Sequence, residues 1–158
     1  MTPAPDGRAV PAGTAPAAAA TPAAGDPLPS LVVPVVDEAR MKVLALLLHD
    51  PNPIHFDPAS VVPVGDDRRL VTQGPLSLGY LATMLAAWAG GEDRVVALDC
   101  RYLANVHAGD AVVAGGEVAS VGTDAAGRRV AHCSVWLDVR GGARAVQGTA
   151  TVLLDAPG

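Results

Sequence analysis

Between residues 76 and 89 the only polar side chains are Ser77 and Thr83; the rest, including Leu78, Tyr80, Leu81, Met84, Leu85, Trp88 and several alanines, is apolar all round. A helix of that kind has to be buried on most of its sides. Its limits are marked. Gly74 suits the cap position and Pro75 the first helical position, where a missing N–H costs nothing because no intrahelical partner exists. Gly90-Gly91 closes the far end. Whatever else the chain does, it must wrap this rod.

The wrapping follows at once. Residues 94–106, 111–121, 129–139 and 143–154 read as strands, separated by Ala108-Gly109-Asp110, residues 124–127 and Gly141-Gly142, each with the turn chemistry of hairpins. Val135, Leu137 and Val139 alternate with Trp136 and Asp138, which gives that strand one packed face. Consecutive strands with short links imply an antiparallel sheet, and one enclosed helix followed by four such strands is an α+β layout in which the sheet wraps the helix. Open sheet edges favour pairing with another subunit.

Ahead of the buried helix, residues 31–36 form an apolar β-branched run, a short strand or a lead-in to the sheet. Asp37 is placed to cap a helix over residues 38–48, with Met41, Leu44, Ala45, Leu47 and Leu48 at compatible spacing, and Pro51 stops it. Residues 59–73, with Pro63, Gly65 and Asp66-Asp67-Arg68-Arg69, predict a surface loop ending in an extended piece at 70–72. Residues 1–29 are mostly Ala, Pro, Gly and Thr and predict a disordered leader, which leaves 30–158 as one domain. The whole chain has the size of one domain able to bury a core.

A net charge of -5 with scattered arginines offers no phosphate-seeking surface, so nucleic acid is not an expected partner. No apolar run approaches the roughly 20 residues of a membrane span, and Pro16 and Pro22 bound the short Ala17–Ala20 run; no membrane partner and a cytoplasmic location are expected. Cys100 and Cys133 lie in apolar alternating segments as small buried hydrophobes. With no Cys-x-x-Cys or His-x-x-x-His pattern, no metal site is expected, and His107 and His132 read as structural or exposed.

The segment with chemical content is His49-Asp50-Pro51-Asn52-Pro53-Ile54-His55-Phe56-Asp57. It sets a carboxylate and an imidazole five residues apart on a proline-stiffened loop. General acid–base chemistry needs one group to take a proton and another to deliver one, and Asp and His can share these tasks. Negative charge developing on a substrate oxygen needs a preorganised donor, for which the Gly74 N–H at the start of the buried helix is the candidate; Pro75 has no N–H to offer. Each of these residues also has a plainer role open to it: Asp50 or Asn52 in a turn, His55 at the surface, Gly74 as a cap.

Asp50-Pro51-Asn52-Pro53-Ile54-His55 resembles the Asp-x-Asn-Pro-(Ile/Leu/Val)-His signature of MaoC-like (R)-specific enoyl-CoA hydratases and the related (R)-3-hydroxyacyl-thioester dehydratases. The order of elements over 31–154 is similar to that family too, and Ala108-Gly109-Asp110 resembles its Pro-Gly-Asp turn. The resemblance implies a hot-dog fold and reversible syn hydration of a trans-2-enoyl thioester to an (R)-3-hydroxyacyl thioester. It implies Asp50 and His55 as the catalytic pair, Asn52 holding the substrate-binding loop and Gly74 as the oxyanion donor. It also implies an acyl-CoA or acyl-carrier-protein substrate, no cofactor, and a homodimer or a heterodimer with a related hot-dog subunit. Where the family commonly has Gly before the aspartate this chain has His49, and where it shows His-Gly-Met this chain has Gln73-Gly74-Pro75; a serine carried by some members falls at Ala82. Hot-dog folds also serve as non-catalytic acyl-binding or structural subunits and as thioesterases, and those two functions stand as alternatives.

Overall fold

A computed structural model describes residues 21–61 and 68–155. In chain order it contains β1 (Leu31–Val33), α1 (Glu38–Leu48), α2 (Gly74–Ala89), β2 (Val95–Tyr102), β3 (Val112–Thr123), β4 (Arg129–Val139) and β5 (Arg144–Leu153). Short 3-10 turns at Pro53–His55, Pro58–Ser60 and Glu92–Arg94 link them. The five strands form one sheet in the order β1-β3-β4-β5-β2, every pair antiparallel.

The expected α+β layout is borne out: α2 touches all five strands. Leu81, Met84 and Leu85 are buried against the inner face of the sheet, which presents Ala114 and Val118 from β3, Val135 and Leu137 from β4, and Val152 from β5. Enclosure leaves one stripe open. Pro75, Gly79, Thr83 and Ala87, spaced one turn apart, are exposed, so the apolar run is covered on most sides and one stripe of small residues faces outward. Gly90 ends the helix at φ 84, a left-handed cap that glycine adopts without penalty, and its N–H donates to Ala86.

Three boundaries differ from the sequence reading. The chain joins the sheet well before Leu31: the Gly25 and Leu28 N–H groups donate to Val118 and Gly116, both at 2.8 Å, and Leu28 is buried. Residues 25–28 thus extend the pairing of β1 along β3, because backbone hydrogen bonding needs no large side chain. Of the leader expected over residues 1–29, residues 1–20 lie outside the described residues, as does the centre of the 59–73 loop. Gln73, rather than Gly74, is the N-cap of α2, and Gly74 is its first residue. The strand expected over 94–106 stops at Tyr102, where the chain crosses the sheet towards β3, since β2 pairs with β5 and not with the strand that follows it.

In α1 the boundaries match, with Asp37 Oδ1 accepting from the Ala39 N–H at 2.7 Å. The buried face differs. Met41 and Ala45 point inward, while Leu46 is 77% and Leu47 71% exposed. The run of leucines has no polar side to orient it, so packing alone chooses the face. Both cysteines are free; burial pushes the Cys133 thiol up to about 11, which makes it inert at neutral pH. No helix among the described residues is long and apolar enough to cross a membrane.

Leu85 lies at the middle of the interface between α2 and the sheet and is fully buried. Leu85→Ala is expected to cost about 2–5 kcal/mol, read from chemical denaturation midpoints at unchanged m.

Candidate active site

The geometry starts at the end of α1. His49 is its C-cap at φ 51 and ψ 39, the left-handed region that favours glycine, and the turn it makes lets the Asp50 N–H donate to Ala45 at 2.9 Å. Asp50 is thereby held at the mouth of the proline loop. Its Oδ1 accepts from the Asn52 N–H at 3.0 Å, which leaves Oδ2 free to face outward from the turn. Asn52 caps the 3-10 turn Pro53–His55, its Oδ1 accepting from the Ile54 N–H at 3.4 Å. That turn swings His55 back toward Asp50.

The result is a contact of 3.3 Å between Asp50 Oδ2 and His55 Nε2. The imidazole is buried, and its Nδ1 lies 2.7 Å from the Val71 carbonyl. A carbonyl only accepts, so Nδ1 carries the hydrogen and Nε2 is the nitrogen left for proton exchange. Val71 is itself fixed, its N–H donating to Ile54 at 3.1 Å and its backbone bridged to His107. His107 is not as solitary as its position suggested: its N–H donates to Asp110 at 2.9 Å, and Asp110 also pairs with Arg69. The Gly-Asp turn therefore braces the strip of chain that orients His55.

His55 and Asn52 line a cavity of about 300 Å³ together with Gly74, Ser77 and Tyr102. Gly74 is the first residue of α2, where no intrahelical acceptor exists, and among the described residues nothing accepts from its N–H. Asp50 opens on the other side onto an apolar groove of about 600 Å³ formed with Ala45, Leu46, Pro51 and Phe56. The acid and the imidazole thus meet where the two hollows adjoin. A larger recess of about 800 Å³ at the amino end of α1 includes none of these residues.

The four residues singled out from the sequence, Asp50, Asn52, His55 and Gly74, are all brought to this one place. Three others were not foreseen. Ser77 is buried and lines the cavity; as one of two polar positions in an apolar helix, it carried a signal that could have been used. Tyr102 arrives from the end of β2, and no local pattern could connect it with Gly74. Gln73 is 1% exposed, and its Nε2 donates to the Met41 carbonyl at 3.0 Å, tying α1 to the start of α2; among the described residues its Oε1 has no partner. No group of three or more His, Cys, Asp or Glu among the described residues could hold a metal ion.

A sheet wrapped on one long helix, with this loop at the helix start, defines a hot-dog domain, and comparison with known proteins agrees. The family model described as MaoC like domain matches residues 18–134. The chain belongs to the MaoC-like dehydratase family. Among solved structures it is similar to the (R)-hydratase from A. caviae involved in PHA biosynthesis, at 26% identity and a TM-score of 0.71 over 84% of this chain and 96% of that one. It is also similar to the unliganded R-hydratase PhaJ1 from Pseudomonas aeruginosa, at 18% identity and a TM-score of 0.68 over 82% and 80%. A chain of the ChsH1-ChsH2 complex from Mycobacterium tuberculosis matches at 20% identity and a TM-score of 0.68 over 84% and 98%. The last two likenesses show the fold alone. No curated protein sequence matches the chain.

The left-handed backbone at His49 gives the family's glycine a physical reason: a Cβ is disfavoured there. His49→Gly is expected to stabilise the protein by about 0.5–1 kcal/mol, measured as a rise in Tm.

Proposed function

We propose that the protein catalyses the reversible syn hydration of a trans-2-enoyl thioester to the (R)-3-hydroxyacyl thioester, with Asp50 and His55 as the acid–base pair and Gly74 as the oxyanion donor. The observation that carries this reading is the 3.3 Å contact between Asp50 Oδ2 and His55 Nε2 next to a cavity that also holds the Gly74 N–H. Two proton-exchanging atoms so close together serve one face of a flat enoyl group, which is the condition for syn addition. The pair holds one proton on Nε2. Oδ2 takes a proton from water as the water oxygen bonds to C3, the π electrons move toward the thioester oxygen, and Nε2 delivers its proton to C2. Transfer from Oδ2 to Nε2 then restores the starting state.

Charge on the thioester oxygen is met by the Gly74 N–H at the positive end of α2. Asn52 keeps the loop in register and lines the cavity beside His55. The substrate is an acyl-CoA or acyl-carrier-protein thioester, and neither metal nor redox chemistry enters the steps above. A second hot-dog subunit, the same chain or a related one, pairs at the open edge of β2, where Val96 and the adjoining Leu103 are exposed.

A second reading makes the chain a non-catalytic subunit of a heteromeric dehydratase. Gln73 and Pro75 at the helix start motivate it, and the ChsH1-ChsH2 complex is an example of this fold in an assembly of two different proteins. Purified protein assayed alone with crotonyl-CoA separates the two readings. We expect turnover, lowered by about 10²–10⁴ in Asp50→Asn and in His55→Ala, the usual worth of one positioned proton-transfer group. Undiminished rates in both variants would remove the site assignment, and turnover only after addition of a second subunit would favour the other reading.

A further inference from the structure

Pro75 deprives the start of α2 of the N–H that would follow Gly74, so the helix offers the cavity one backbone donor in its first two positions. Sites that stabilise an oxyanion commonly use more than one donor. The structure brings another donor group to the same wall. Tyr102, the last residue of β2, lines the cavity with Gly74, Ser77 and His55, and its ring lies directly on Gly74. A Cβ built on Gly74 would stand 2.9 Å from the phenol oxygen and 2.9 Å from Cζ. By standard backbone dimensions this puts the hydroxyl no more than roughly 5.5 Å from the Gly74 nitrogen. Two donors that each reach one oxygen at ordinary hydrogen-bond length sit about 5 Å apart.

We propose that the Tyr102 hydroxyl is a second hydrogen-bond donor to the thioester oxygen, acting beside the Gly74 N–H. This rests on the thioester reading above and adds to it a catalytic residue. Among the described residues the hydroxyl has no hydrogen-bond partner, so its proton is uncommitted. Tyr102 is 51% exposed, which makes it a poor contributor to the core and leaves its position explained by what its tip reaches. Burial, with Cys100 as a smaller cause, pushes the phenol above its ordinary range; it stays neutral, and a donor, at working pH. A side chain at position 74 would push the phenol aside.

Tyr102→Phe keeps the ring and removes only the hydroxyl. With crotonyl-CoA the expected result is a fall in kcat of about 10- to 100-fold, KM within about twofold of wild type, and an unchanged melting temperature. Gly74→Ala displaces the ring, so adding Tyr102→Phe to it should cost less than about twofold more. A kcat for Tyr102→Phe within twofold of wild type, while Asp50→Asn is inactive, overturns the proposal and leaves the acid–base pair standing. So does a loss of kcat matched by a lower melting temperature, which would mark the ring as mere packing. Undiminished turnover in both Asp50→Asn and His55→Ala removes the underlying reading, and this proposal with it.

Discussion

Everything in this molecule is arranged around the need to enclose α2. A helix with so few polar positions can be dry only if a sheet curves around it, and all five strands contribute. Enclosure fixes more than stability. It brings the amino end of α2, with its positive dipole end and the uncommitted Gly74 N–H, to the rim of the sheet, where the proline loop closes over it.

The loop is held by its own backbone to an unusual degree. Asp37 starts α1, His49 turns the chain in a left-handed conformation, Asp50 and Asn52 each accept a backbone N–H two residues on, and Val71 fixes the imidazole. One carboxylate oxygen is therefore spent on structure and the other on the histidine. Gln73 adds a buried tie between α1 and α2 whose second amide atom is unpaired among the described residues. An unpaired buried acceptor costs about 1–3 kcal/mol, so the amide is a poor choice for stability alone. What the tie does is hold the first half of α1 against the start of α2.

Much of this was legible in residue order because the signals are local. Asp37 and Pro51 bracket α1, Gly90 ends α2, and Asp50, Asn52 and Pro53 dictate turns through bonds spanning two residues. The non-local parts were not legible. Strand order β1-β3-β4-β5-β2 depends on which edges meet, and nothing in 95–102 says that its partner is β5. The early docking of residues 25–28 is a backbone event in a segment whose composition predicts disorder. In α1 the run 46–48 is apolar on every side, so its exposure follows from what packs beneath it.

By itself the sequence determined the elements, the rigid bend and the places of Asp50, His55 and the helix-start glycine along it, since each is written within a few residues by caps, prolines and apolar period. Tertiary structure decided which atoms face each other. Only folding could set Oδ2 against Nε2, give Nδ1 the Val71 carbonyl, or lay Tyr102 on Gly74, because these contacts join segments whose mutual approach is governed by core packing and sheet closure.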